Sequence, residues 1–278
     1  MYSAKQYSAE WTHGDDMPIS DIKDRENSPM RSLERALHLL AVLEEGGWPM
    51  GVTELGRASQ LSKATVLRIV SVLEKYGFAE KRRGRYRLGA AVLPLAHAYV
   101  LGNELTRVAL PVLQELAQTS GETASLYVRL RFKRILVQRV EGLHPLRFVL
   151  PIGQRLPLHV GAGKALAAAM PPEELQQMLD ELGEMYLSSG ERLTRKALLV
   201  ELDRVRRQGY SVSHGEHMVG TVAVAAPVFD ADGATIAAVS VVGAADRLTP
   251  KKIEWLTIEV RADAKAIAER YDAGLRSR

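Results

Sequence analysis

The sequence predicts a two-domain chain of α/β class: a small helical module closed by a β-hairpin, a connecting helix, then a larger α+β domain on a largely antiparallel sheet. Three observations carry this. Apolar residues recur at helical spacing from Leu33 to Leu73 and run into the basic stretch Lys81-Arg82-Arg83-Gly84-Arg85-Tyr86-Arg87. Two pairs of alternating apolar runs lie further on, Thr123 to Val140 and Val222 to Val242, each folded about a short turn. Helical patterns fill the stretches between and after them, which favours a mixed antiparallel sheet over a doubly wound one.

A chain of 278 residues, 46% hydrophobic and 25% charged, has room for two cores. The absence of cysteine excludes disulfides and thiolate metal sites and fits a cytoplasmic protein. No basic segment leads into a long apolar run near the start, and no run reaches the length of a membrane span, so neither secretion nor membrane insertion is expected.

The net charge of +4 is unevenly placed. Met1 to Met30 holds three basic and six acidic residues, Arg31 to Leu88 eleven and six, and Gly89 to Arg278 twenty-three and twenty-one. The excess therefore sits in the second segment, which is the electrostatic footprint of nucleic-acid binding.

Residues 1–30 are polar, acidic and aperiodic and read as a flexible arm. In the module 31–88, the first helix begins near Ser32 and turns Leu33, Ala36, Leu37, Leu40 and Leu43 inward until Gly46-Gly47. A second short helix starts near Thr53, with Leu55 and Ala58 inward. The third is capped by Ser62, packs Val66, Ile69, Val70 and Leu73, and stops at Gly77. Its other face carries Ala64, Arg68, Ser71 and Lys75, with Lys63 and Thr65 in the first turn.

A capped helix followed by a tight basic hairpin is the order of a winged helix-turn-helix, whose second helix brings its N-terminal part to the major groove. Arg68 has the planar donor pair that matches guanine O6 and N7. Ser62, Lys63, Ala64 and Thr65, with Thr53 on the preceding helix, suit phosphates and groove contact. In the hairpin, Gly84 permits the turn, Tyr86 points inward, and Lys81, Arg82, Arg83 and Arg85 face the nucleic acid.

Residues 89–102 read as a linker helix, broken by Gly102-Asn103 from the opening helix of the domain 103–278. That domain shows one hairpin around Arg131 to Arg134 and another around Asp230 to Gly233. Its helices fall near Lys164 to Met170, Pro172 to Leu182, Thr194 to Gln208 and Pro250 to Tyr271.

Enzymatic readings are weak. Gly161-Ala162-Gly163-Lys164-Ala165 lacks the spacing and following hydroxyl of a nucleotide-phosphate loop. His214 and His217 find no third metal ligand at suitable spacing, and no nucleophile elbow occurs. No catalytic residue, metal or cofactor is expected. An enzyme acting on a small acid, tethered to nucleic acid by its N-terminal module, stays as the alternative.

In order along the chain, Ser32-Leu33-Glu34-Arg35-Ala36-Leu37, Ser62-Lys63-Ala64-Thr65-Val66, Arg85-Tyr86-Arg87-Leu88-Gly89, Ser120-Gly121-Glu122-Thr123, Arg155-Leu156-Pro157-Leu158-His159, Gly161-Ala162-Gly163-Lys164-Ala165, Arg207-Gln208-Gly209-Tyr210 and Ala225-Ala226-Pro227-Val228-Phe229-Asp230 resemble the isocitrate-lyase-regulator (IclR) family of bacterial transcription factors. The resemblance implies a GAF- or PAS-like effector domain, a homodimer or dimer of dimers, a pseudo-palindromic double-stranded operator, and RNA polymerase as a further partner. Repressors and activators both occur in the family. The family's pocket maps here to Leu146, Phe148, Gly161, Ala162, His214, Val222, Ser240 and Val242. Amides at the start of the Lys164 helix suit a carboxylate. The apolar floor expected from Val222 and Val242 points to a larger or aromatic carboxylic acid.

Overall fold

The computed structural model describes residues 31–145 and 147–276, and the N-terminal arm read from the sequence lies outside them. The chain divides into two compact units between Tyr99 and Val100.

The first unit opens with helix α1 (Arg31–Gly46), strand β1 (Met50–Gly51), α2 (Val52–Ala58) and α3 (Lys63–Lys75). A hairpin of β2 (Ala79–Arg82) and β3 (Arg85–Leu88) follows. Ser62 caps α3 as its sequence position requires, its hydroxyl accepting from the Thr65 amide at 3.2 Å. The core gathers Leu39, Val42 and Leu43 of α1, Leu55 of α2, Val66, Val70 and Leu73 of α3, and Tyr86 of the hairpin.

Three inward assignments shift. Leu33 and Leu37 of α1 are exposed, because the helix is apolar on two sides and rotates Leu39 and Val42 into the core. Ala58 is exposed as well, and the buried place belongs to Ser59, whose hydroxyl donates to the Leu55 carbonyl at 2.6 Å.

The hairpin turns over two residues, Arg83 and Gly84, both at positive φ between the paired Arg82 and Arg85. That is the geometry a right-twisted two-residue hairpin favours, and it holds Arg83 in a left-handed conformation that a non-glycine residue adopts at a cost. β1 adds a third strand, pairing Met50 with Tyr86 and Gly51 with Arg85. At the base, a Cβ on Gly89 would run into the Gly77 carbonyl, so this crossing requires glycine.

Helix α4 (Val92–Gly102) is apolar around its circumference and has no buried residue among those described. Asn103 then breaks the chain and caps α5 (Glu104–Ser120), its Oδ1 accepting from Leu105 at 3.0 Å and Thr106 at 3.3 Å.

The second unit continues with β4 (Thr123–Leu130), β5 (Lys133–Val140), β6 (Arg155–Pro157), α6 (Gly163–Ala168), α7 (Pro172–Glu181), β7 (Met185–Tyr186) and β8 (Arg192–Leu193). It ends with α8 (Arg195–Gln208), β9 (Ser211–His214), β10 (Thr221–Phe229), β11 (Thr235–Ala244) and α9 (Pro250–Arg276). A six-stranded sheet has the order β6-β5-β4-β11-β10-β9, every neighbour antiparallel. Helices α5 and α9 cover one face through Leu113, Leu126, Val224, Val241, Val260 and Ile267. Helices α6, α7 and α8 pack on the other through Tyr127, Leu136, Leu166, Met178 and Leu202. This is the predicted α+β class with its antiparallel sheet.

Two buried charges staple the unit. Glu122, 1% exposed, accepts from Arg247 Nε at 2.9 Å and Nη2 at 2.7 Å, with Lys252 at 3.5 Å. A Cβ on Gly243 would lie 2.6 Å from that carboxylate, so the strand leaves room for it. Lys164, 2% exposed, donates to Glu201 at 3.0 Å, to the Val212 carbonyl at 3.3 Å and to Glu216.

Candidate nucleic-acid interface and ligand cavity

On the first unit, α3 presents Ser62, Lys63, Ala64 and Arg68 to solvent, with Thr65 half-buried and bonded to Ser62 through its hydroxyl at 2.9 Å. The cap therefore engages the hydroxyls of Ser62 and Thr65 with each other while Lys63 and Arg68 form no ion pair among the described residues. Thr53 is exposed in the first turn of α2.

The hairpin divides its cations into two sets. Lys81, Arg82 and Arg83 are exposed and unpaired by any carboxylate among the described residues, Lys81 lying 5.4 Å from the Tyr86 ring. Arg85 is otherwise engaged. It donates to the Pro49 carbonyl at 2.7 Å and to Glu54 at 2.8 Å, tying β3 to α2. Glu54 is held below its usual carboxylate range by the Gly51 amide first, which donates to it at 2.7 Å, and by Arg85. Arg87 pairs with Glu80 across the hairpin. The predicted wing is present with Lys81, Arg82 and Arg83 as its free charges, while Arg85 positions it.

On the second unit, a cavity of about 380 Å³, its open mouth included, lies against the face of the sheet that α6 covers. Of the eight residues expected there, Phe148, Gly161, Ala162, Ser240 and Val242 line it. Val222 does not: it points through the sheet into the core under α9. His214, paired with Val222 across β9 and β10, shares its phase and is exposed. Leu146 lies outside the described residues. Alternation puts Ser213 and Ala223, the neighbouring pair, into the cavity instead.

Five further lining residues, Thr221 at the start of β10 among them, are not assigned to the cavity from the sequence. Tyr127 comes from β4, Arg134 from β5, Leu150 from the loop before β6, and His217 from the loop between β9 and β10. The signal for Arg134 is its phase, two residues before the inward Leu136 on one strand. A turn drawn over Arg131 to Arg134 hides it; the turn in fact closes over Arg131 and Phe132 between paired Leu130 and Lys133.

Arg134 is 2% exposed, with its guanidinium 5.3 Å from the Tyr127 ring. Its Nη1 donates to the carbonyls of Pro157 and Val160, the latter at 2.5 Å. Burial lowers its pKa to about 10, still protonated at neutral pH. His159 and His217 are each pushed down to about 4, by burial first and then by the charge of Arg134, and so are neutral. The His217 ring meets Phe148 edge-on, centroids 6.3 Å apart.

The Gly161 amide, just before the Lys164 helix, is engaged within the protein. Gly161 N–H donates to Glu216 Oε2 at 2.9 Å, and Glu216 also accepts from Lys164. No group of three or more metal-ligating side chains occurs among the described residues. No helix among them is long and apolar enough to cross a membrane.

The profile described as "IclR helix-turn-helix domain" matches residues 32–83, and that described as "Bacterial transcriptional regulator IclR C-terminal" matches residues 97–269. The chain belongs to the IclR family. The HTH-type transcriptional repressor AllR of Salmonella typhi is 32% identical over 241 residues, covering 86% of this chain and 89% of that one. AllR of Escherichia coli K12 is 31% identical over the same shares. Among solved structures, an IclR-type regulator from Silicibacter sp. TM1040 superposes with a TM-score of 0.77 at 27% identity, covering 87% of this chain and 96% of that one. The regulator from Alicyclobacillus acidocaldarius gives 0.74 at 25%, covering 86% and 98%. This IclR protein is thus a DNA-binding transcriptional regulator with a C-terminal ligand-binding domain, and the enzyme alternative falls away.

Proposed function

We propose that this regulator holds a two-fold related operator as a homodimer in the cytoplasm, and that a small organic acid in the C-terminal cavity controls its grip on DNA. Arg68 reads a base edge. Ser62, Lys63, Ala64 and Thr65 with Thr53 hold the adjoining backbone, and Lys81, Arg82 and Arg83 lie along phosphates at the wing. A dimer is supported by α4, where Leu93, Leu95 and Leu101 are 61–69% exposed on a helix without charged residues. The naming of the AllR relatives as repressors favours repression here too.

The single observation behind the effector reading is the cavity, with aromatic walls from Tyr127, Phe148 and His217 and polar groups at Arg134, Ser213 and Ser240. Aromatic walls and a cation together suit an aromatic carboxylic acid. The acid controls DNA only if it binds two arrangements of the protein with different affinity.

The test is a thermal-shift screen of aromatic and aliphatic carboxylic acids, followed by titration of an operator selected from random DNA with and without each hit. An acid at about 100 times its Kd stabilises the folded chain by about 2.7 kcal/mol. If none raises the melting temperature, the acid reading fails while DNA binding stands. A hit that leaves operator affinity unchanged removes its role in control.

A further inference from the structure

We propose that Arg134 is the anchor for the effector's carboxylate, and that the ligand class is a monocarboxylate with a flat, unsaturated or aromatic body. This rests on the reading of the cavity as the effector site and names the residue that would set its specificity.

The charges of the second unit are unequally treated. Buried Lys164 has two carboxylates, and buried Glu122 has Arg247 and Lys252. Arg134 is as deeply buried as either, yet among the described residues no carboxylate lies within ion-pair distance of it. A buried cation without a counter-charge is strongly unfavourable unless something supplies one. Glu216, the nearest carboxylate that influences it, has its two oxygens on Lys164 and Gly161.

The donors point the same way. Nη1 is engaged by the Pro157 and Val160 carbonyls, while Nε and Nη2 form no hydrogen bond among the described residues, and Nε is buried. Those two atoms make up one edge of the guanidinium, the edge that takes both oxygens of a carboxylate side-on. The surrounding backbone is cut away for this group: a Cβ on Gly163 would collide with Nη1, and one on Gly161 would stand 3.3 Å from Nη2.

Chemistry of the lining narrows the ligand. The cavity has no carboxylate and no second lysine or arginine among its described residues, so one negative charge is matched and two are not. His159 and His217, both near 4, add no charge at neutral pH. The ring of Tyr127 beneath the guanidinium and the crossed rings of Phe148 and His217 leave flat apolar surface for the rest of the molecule. The Gly161 amide, being held by Glu216, is not the anchor.

The experiment titrates the full chain with benzoate, phenylacetate and pyruvate, each against its amide, by calorimetry at neutral pH. For at least one acid, the acid should bind on the order of 10- to 100-fold more tightly than its amide. Arg134→Gln should abolish that preference, and Arg134→Lys should retain part of it, keeping the charge but not the paired donors. The wild-type comparison of acid with amide stands even if a variant fails to fold.

Equal binding of acid and amide by the wild type overturns the anchor. So does a folded Arg134→Gln that binds the acid as the wild type does, and both results leave the cavity reading intact. If no acid binds the wild type at all, the acid reading of the cavity falls and takes the anchor with it.

Discussion

Lys164→Met is the substitution that most directly tests how the ligand-binding unit is held together. Methionine keeps the apolar stem and removes the ammonium from three acceptors, Glu201 at 3.0 Å, the Val212 carbonyl at 3.3 Å, and Glu216. The two carboxylates fare differently. Glu201 retains Arg204, which donates to it at 2.9 and 2.8 Å near the surface. Glu216 retains only the Gly161 amide at 2.9 Å among the described partners. Breaking a buried pair costs about 3–5 kcal/mol, and the fallback of Glu201 places this loss at the low end, about 3 kcal/mol. For a domain of this size that is a fall of about 6–12 °C in melting temperature. Urea unfolding by circular dichroism, read on the second unit, measures it. Removing the stranded charge in Lys164→Met/Glu216→Gln should recover part of the loss, with a coupling of about 2 kcal/mol. A single-variant loss under about 1 kcal/mol, or simple additivity in the double, would refute the reasoning.

Other expectations follow from the same geometry. Arg68→Ala should lower discrimination at one base pair of the operator by about 1–3 kcal/mol, read by competition with single-base variants; equal weakening on random DNA excludes base reading. Arg82→Ala should weaken operator and random DNA alike and reduce the salt slope by about 0.9, so an unchanged slope removes Arg82 from the phosphate contacts. His159 has a folded pKa of about 4 against 6.5 for the free group, so its neutral form is favoured: its contribution is whole above pH 6.5 and is lost as the pH falls towards 4, about 3 kcal/mol in all. His159→Gln should therefore flatten the acid limb of the denaturant midpoint against pH, and an identical limb would contradict the burial. Asp263 is raised to about 7 by burial and by Glu259 and Glu115, so its stability contribution is lost as the pH rises from 3.8 to 7. Asp263→Asn should raise the melting temperature at about pH 8 and not at about pH 4.

The parts of the fold that a single chain can read are those whose causes are local. Ser62 followed three residues later by Thr65 caps α3, Arg83-Gly84 turns the wing, and Asn103 separates two helices, each by bonds within a few residues. Strands β1, β6 and β9 span two to four residues, too short for alternation to show, and they exist because a longer neighbour pairs with them. The engagement of Arg85 by Glu54 and of the Gly161 amide by Glu216 crosses 31 and 55 residues of chain, and nothing in the local pattern announces either. Both give a residue a partner within the protein that its position in the sequence does not suggest.

Val222 and His214 are carried to the pocket by the family resemblance, and the register of the second hairpin gives the physical reason they miss it. Phe229 pairs with Thr235 at the end of the second hairpin, and counting back from that pair without interruption sets Val222 opposite Val242. On that count the two valines share a face, and His214, opposite Val222, joins them. The hairpin does not run without interruption. The register shifts between Val228 and Phe229, where Ile236 is the extra residue on β11, so Val242 faces Ala223 and Ser240 faces Ala225. One bulged residue inverts the face of every position beyond it on one strand relative to the other. The result puts the bulky series Val222, Val224 and Val228 under α5 and α9 and the small series Ala223 and Ala225 towards α6, where small side chains leave the space that becomes the cavity. The pocket of this regulator therefore depends on that bulged register: were Ile236 paired with Val228, Val224 would oppose Ser240 and Val222 would oppose Val242, and the valines of β10 would fill the volume beside Arg134.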